Sequence, residues 1–306
     1  MATLIADKFA AWEKECQDRF DQLKANEEEL NKIFIELYGL QDELDYHVPD
    51  EEITVSLADR ERDIKSLISY AVGCMFGRYS LDVEGLAYAG GGYDRRKYTT
   101  FVPTESNIIL IPDDDYFGDD PCDIMNRFTE FIKTAYGPET LEENLQYVAD
   151  SLKGTGTSHA VVRNYFVKSF YKDHLKTYKK RPIYWQFDSG RNNGVKALMY
   201  LHRYESTLLY RFQDDCLKNL MHVYDDRWNM RTMQIQGTKV KSDIKRWNKE
   251  KEKLKKQMKE LDEYIPKVKR LAALKIELDL DDGVVVNYDK LQTNEAGKLT
   301  KILARR

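Results

Sequence analysis

Residues 240–268, "VKSDIKRWNKEKEKLKKQMKELDEYIPKV", decide the fold class. Val240, Ile244, Trp247, Lys251, Leu254, Met258, Leu261, Ile265 and Val268 step by four and three in alternation. That is an apolar seam on one side of a helix over four heptads, with Lys251 its one polar occupant. A seam of this length predicts a long, coiled-coil-like helix packed on another helix of the chain, with 205–224 as the candidate partner. Pro266 predicts a kink or an end, because it removes a backbone donor and restricts Ile265. The many lysines between the seam positions either solvate this helix or meet a polyanion.

Upstream, helical patterns dominate. Leu23, Leu30, Ile33, Phe34, Leu37, Leu40 and Leu44 form one stripe on a helix over 4–45, with Gly39 as a break or cap. A Pro-led loop precedes a helix from about Asp59. "IKSLISYAVGCMFGRYSLD" is apolar nearly all round, which predicts burial, and Gly73 and Gly77 on it would admit another backbone. "EGLAYAGGGYDRR" reads as a loop and "NIILIP", 107–112, as a short strand. Helices follow near 121–135, 139–152 and 158–178, with Asp119 or Asp120 capping the first. After 190, "VKALMYLHRYESTLLYRFQDDCLKNLMHVYDDRW" reads mostly as helix, and "LDLDDGVVVNYDKL" as an extended tail docked on the body. The class is mainly α with a few short β-strands, a helical bundle.

The 306 residues suffice for two domains of ordinary size. The net charge of −4 hides a strong asymmetry. Residues 161–306 carry 33 Lys and Arg against 19 Asp and Glu, a net of +14, which leaves −18 for residues 1–160. The expected division is therefore an acidic helical region, 1–160, and a basic region, 161–306. No run of 18 apolar residues spans a membrane, and the N-terminus lacks a signal-peptide core, which points to the cytoplasm. Cys16, Cys74, Cys122 and Cys216 lack CxxC spacing and read as reduced thiols.

Catalytic constellations are scarce. "AGGGYD" and "GTGTSH" are not dinucleotide loops, and no two of the seven prolines are adjacent. "PDDDYFGDD" fails the calcium-loop pattern, since its fifth and twelfth positions are Phe117 and Ile124. His47, His159, His174, His202 and His222 form no H-x-x-x-H pair, so no metal site is expected.

What remains is basic and aromatic. Between 161 and 200 nine cations meet only two acids. Lys168, Lys172, Lys176 and Lys179 step by four and three along one helical face, at about 6 Å per step, a spacing that suits a phosphate backbone. Lys180 and Arg181 follow, and Pro182 ends the helix. In "KRPIYWQFDSG", 180–190, strand alternation puts Ile183, Trp185 and Phe187 on one face and Tyr184 and Gln186 on the other. The first face is assigned to the core. The second, with Tyr184, lies beside nucleic acid together with Arg191, Lys196 and Arg203. Asp188-Ser189-Gly190 then turns the chain into a further helix.

Several stretches together resemble a known family. "NEEELNKIFIELYGLQDEL", "DIKSLISYAVGCMFGRYSLDVEGLAYAGG", "KRPIYWQFDSG…ALMYLHRY" and "LDLDDGVVVNYDKLQ" are similar to the C-terminal region of the PglX adenine-specific methyltransferases of BREX (bacteriophage exclusion) systems. The resemblance covers almost the whole chain from about residue 27. It implies a part in phage defence through methylation of adenine N6 that marks host DNA as self. The catalytic domain, with its Pro-Pro motif and S-adenosylmethionine site, is expected upstream of Met1. No cofactor is then expected in this chain, which is predicted inactive alone. The implied partners are double-stranded DNA, the catalytic portion and other BREX proteins. The alternative is a protein-interaction scaffold whose coiled-coil seam and acidic half contact other BREX components, leaving DNA to the catalytic part.

Overall fold

The computed structural model describes residues 3–306; the first two positions of the acidic region 1–160 lie outside the described residues. Helices surround a small antiparallel sheet. α1 (Ile5–Tyr38) and α2 (Arg60–Phe76) precede β1 (Ile109–Leu110), α3 (Ile124–Tyr136) and α4 (Leu141–Ser151). α5 (Ser158–Tyr165) runs through a π turn, Phe166–Phe170, into α6 (Tyr171–Thr177). β2 (Tyr184–Asp188) and β3 (Lys196–Tyr200) form a hairpin. α7 (Leu208–Arg211) passes through a second π turn, Phe212–Leu217, into α8 (Lys218–Gly237). α9 (Lys241–Ala273) and α10 (Gly283–Lys290) complete the fold.

Local chemistry sets the boundaries. Asp59 accepts the Arg62 N–H at the start of α2, and Gly39 ends α1 in the left-handed region at φ 68°. The cap of α3 is Asp123, which accepts the Met125 N–H, and not Asp119 or Asp120; Asp120 accepts the Cys122 N–H one turn earlier. Gly73 faces the Tyr79 ring, which a Cβ there would overlap, and Gly77 caps α2 at φ 78°. The glycine pair therefore makes room for a ring and a helix end, not for a second backbone.

The sheet order is β1-β3-β2, and its two faces belong to two cores. Tyr184, Leu198 and Tyr200 face the core built with α2 to α6. Trp185, Phe187, Ala197 and Met199 face the core built with α7 to α10. Trp185 and Phe187 are core residues, as expected. Tyr184 is core too, 1% exposed, which corrects its placement on an outer face. The alternation is real, but a sheet packed on both sides has no solvent face.

Two further expectations are overturned. Residues 196–200 pair with β2 as a strand, so the turn at Asp188-Ser189-Gly190 leads into β3 and not into a helix. Ala197, Leu198 and Met199 are good helix formers, but a sheet buried on both faces outweighs that preference. Conversely, "GVVVNYDK" is helix α10 despite its valines. Asn287, Tyr288 and Leu291 are buried at helical spacing, and Asn287 Nδ2 donates to the Gly283 carbonyl at 3.1 Å. The extended, docked segment lies later: Asp188 N–H donates to the Ile302 carbonyl, and Ala304 N–H to that of Gln186, along the free edge of β2.

The seam on α9 is buried over its C-terminal part, while Val240, just before the helix, is 52% exposed and Ile244 and Trp247 are half-buried. Leu254, Leu261 and Val268 are fully buried against Leu208, Phe212, Leu217 and Leu220. The polar occupant has a reason: Lys251 Nζ lies 4.0 Å from the centroid of the Trp228 ring. Glu250 joins the same two helices by accepting from Arg227 Nε and Arg231 Nε at 2.9 and 2.7 Å. α9 does not end at Pro266; Asp262 and Pro266 are both exposed, so the carbonyl deprived of a donor lies on the solvent side. No helix of the described residues is long and apolar enough to cross a membrane.

Candidate nucleic-acid interface

The basic helix separates its residues cleanly. Val161, Val162, Tyr165, Phe166, Phe170, Tyr171 and His174 are buried, whereas Lys168, Lys172 and Lys176 are exposed. Their four-residue spacing would drift around a regular α-helix; the wider π turn at 166–170 lessens that drift between Lys168 and Lys172. At the helix end, Lys179 and Lys180 both take left-handed backbone conformations, φ 49° and 61°. Lys180 N–H donates to the Leu175 carbonyl at 2.8 Å and Arg181 N–H to that of Tyr178 at 2.9 Å. Two consecutive left-handed residues other than glycine are costly. This one throws Lys179, Lys180 and Arg181 outward as a cluster, all three exposed.

His174 anchors this corner. Its Nε2 accepts the Ile183 and Tyr184 N–H groups, each at 3.2 Å, which seats the start of β2. The ring packs against Tyr178 and Tyr184, with centroids at 4.6 and 5.0 Å. Burial, aided by the Arg78 charge, pulls its pKa down to about 3, so the ring is neutral.

Arg191 projects from the β2–β3 turn, and that turn is rigidly held. Glu260 of α9 accepts from Ser189 Oγ at 2.7 Å, Asn192 N and Nδ2 at 2.9 Å each, and Gly194 N at 3.0 Å. Burial works to raise the pKa of Glu260, but these donors outweigh it and the net shift is downward. Gly194 has to be small, since a Cβ there would lie 2.9 Å from the Gln257 carbonyl oxygen.

Lys196 and Arg203, grouped with these cations in the sequence, serve the fold. Lys196 Nζ donates to the Val167 carbonyl at 2.9 Å. Arg203 Nη1 donates to the carbonyls of Phe76 at 3.2 Å and Thr104 at 2.8 Å, and its guanidinium lies 4.8 Å from the Tyr93 ring centroid. Tyr184 is enclosed by Phe76, His174 and Tyr200. The surface row therefore consists of Lys168, Lys172, Lys176, Lys179, Lys180 and Arg181, with Arg191 on its own turn.

Lys168 lines the first of two adjoining clefts. This one, of about 1010 Å³, has Lys153, Arg163 and Lys168 among its lining cations and Asp113, Asp114 and Asp115 among its acids. The next, of about 600 Å³, shares Asp113, Asp114 and Asn193 with it, and its lining includes Arg246, Lys249, Lys253 and Lys256 beside Glu250 and Glu252. Sequence reasoning missed these four as a group. Their 3-4-3 spacing, off the apolar seam of α9, was the available signal. Asp113 sits where the clefts join and accepts from Gln257 Nε2 at 3.1 Å and Tyr116 Oη at 3.2 Å, with Lys253 Nζ at 3.1 Å. Among the described residues no cluster of three or more His, Cys, Asp or Glu side chains is arranged to hold a metal ion.

No family model matches the chain. Individual relatives do. The chain is 50% identical over 304 residues to the adenine-specific methyltransferase PglX of Lacticaseibacillus casei (strain Zhang), a match covering 96% of this chain and 24% of that protein. It is 35% identical over 307 residues to the adenine-specific methyltransferase BrxX of Escherichia coli O9:H4 (strain HS), covering 90% of this chain and 25% of the relative. The chain thus spans about a quarter of the length of the curated relatives it matches. These identities bear out the resemblance carried by its motifs. By sequence the chain matches, over nearly its whole length, a stretch of about a quarter of the PglX- and BrxX-type adenine-specific methyltransferases.

Proposed function

We propose that this chain is the DNA-contacting, specificity-associated share of a bacteriophage-exclusion adenine-N6 methyltransferase that marks host DNA as self. The observation that carries the reading is the exposed row from Lys168 to Arg181, together with Arg191 on a separate turn held by Glu260. Cations presented from fixed backbone suit the phosphates of a duplex, and such contacts position a protein without reading bases. S-adenosylmethionine and the transfer step belong, in this reading, to a catalytic portion outside these residues. The chain alone neither binds the cofactor nor methylates.

Charge reversal tests the row. Lys172→Glu, Lys176→Glu and Lys180→Glu together are expected to weaken binding to duplex DNA at moderate salt by at least tenfold. The same reversal at Lys255, Lys259 and Lys269, exposed on α9, is expected to change it little. Equal losses in the two sets would show diffuse attraction with no site and would overturn the proposal.

A further inference from the structure

The end of α1 carries an apolar face that nothing among the described residues covers. Ile5, Cys16 and Phe20 are buried, and Trp12 Nε1 donates to Asp63 Oδ2 at 3.1 Å, so the first half of the helix is fixed to the body. The returning segment packs Val48 and Ile53 against Phe20, with Leu23 alongside. Beyond that, Leu30, Ile33, Phe34, Leu37 and Tyr38 are 50 to 71% exposed. Their spacing of i, i+3, i+4, i+7 and i+8 makes them one stripe, the pattern of a helix face with a partner. Leu44, just past Gly39, is 55% exposed as well.

The charges beside the stripe indicate the kind of partner. Between 27 and 44 the acids are Glu27, Glu28, Glu29, Glu36, Asp42 and Glu43, and the only base is Lys32. Lys32 lies 4.4 Å over the Tyr46 ring, and the nearby Lys24 is paired with Asp50 at 2.6 Å. A second copy of this helix would set acid against acid. A helix with an apolar stripe and basic flanks is complementary. The relatives supply a source. The match with the Lacticaseibacillus casei protein leaves out only about a dozen residues of this chain, so the stripe lies within it, and three quarters of that protein lies outside it.

We infer that the Leu30–Tyr38 face of α1 docks a basic amphipathic helix from the part of the longer methyltransferase chain that lies outside these 306 residues. This rests on the reading of the chain as a share of such an enzyme, but not on its contact with DNA. The surface joins the recognition share to the rest of the protein.

The test changes Phe34→Asp and Leu37→Asp together in two settings and records melting temperature and mass in solution. In this chain alone both side chains are exposed, so the parent is expected to be monomeric and the variant to melt within about a degree of it. In the intact Lacticaseibacillus casei methyltransferase, aspartates at the two aligned positions are expected to lower the melting temperature by several degrees. A 28-residue helical peptide with leucine at its seam and lysine at its flanks is expected to bind the parent chain at least tenfold more tightly than one with glutamate flanks. The aspartate variant should lose that binding, and the Lys172, Lys176 and Lys180 reversal should keep it. An unchanged melting temperature in the intact relative would overturn the inference. So would a parent dimer that the substitutions dissolve, since the occupant would then be a second copy. Equal binding of the two peptides, or binding of neither, would also overturn it. Loss of DNA binding by the lysine reversal is read separately, so either proposal can fail alone.

Discussion

At Lys180 the backbone pays for the direction of a charge. Its φ of 61° follows another left-handed lysine at 49°, and glycine would hold that conformation with less strain. Lys180→Gly is expected to raise unfolding stability by up to about 1 kcal/mol while reducing the salt slope of DNA binding by about one. Urea unfolding and a salt titration check both signs; a gain in stability with unchanged binding would leave Lys180 outside the interface. His174 makes a different prediction, set by pH. Its folded pKa, about 3, lies below the roughly 6.5 of an unfolded histidine. Its stabilising contribution is therefore complete above about pH 6.5 and is lost as the pH falls toward 3, because the unfolded chain takes up the proton first. Between pH 7.5 and pH 5 the loss from this residue is about 2 kcal/mol. His174→Asn should flatten that part of the stability profile while lowering its plateau. An unaltered profile would mean that the ring titrates normally.

At the scale of elements, the coupling of the β2–β3 turn to α9 matters most. Glu260 satisfies four donors of that turn, so Glu260→Ala leaves backbone N–H groups of Asn192 and Gly194 without their acceptor. The expected cost is about 2 kcal/mol, with faster amide exchange at 189–194. Unchanged exchange there would show that Tyr224 Oη and Gln257 Nε2, which donate to the Gly194 and Asn193 carbonyls at 3.0 Å, suffice to hold the turn. The elements also show what a sequence reveals. The buried part of the α9 seam, the start of α2 near Asp59, Gly39 as a cap, and the strand in "IYWQF" were legible because each depends on local spacing or a single cap. β3 and α10 were not. "KALMY" is a strand because it lies between β1 and β2, and "VVVNY" is helical because Asn287, Tyr288 and Leu291 dock one face. In both, tertiary packing outweighs local preference. Among the site residues, the exposed lysines of the basic helix were legible from period alone. The structural roles of Tyr184, which is buried, and of Lys196 and Arg203, which are half-buried, depended on a second core that no local pattern announces.

Over the whole molecule, the two halves of opposite charge do not fold apart. Ile109 and Leu110 of the acidic half pair with Leu198 and Ala197 of the basic half, and the Arg163–Asp123 pair, at 2.6 Å, ties them again. The acids and bases thus mark two surfaces of a joined structure: an acidic one around α1, suited to a basic helix, and a basic one along α6, suited to phosphates. The central claim concerns the second. Its most direct test is the affinity of the chain for duplex DNA measured from 50 to 200 mM salt. With about six phosphates engaged, log K should fall against log salt with a slope of about −5, and the Lys172, Lys176 and Lys180 reversal should bring it to about −3. No binding at 50 mM salt, or the same slope in parent and variant, would contradict the account.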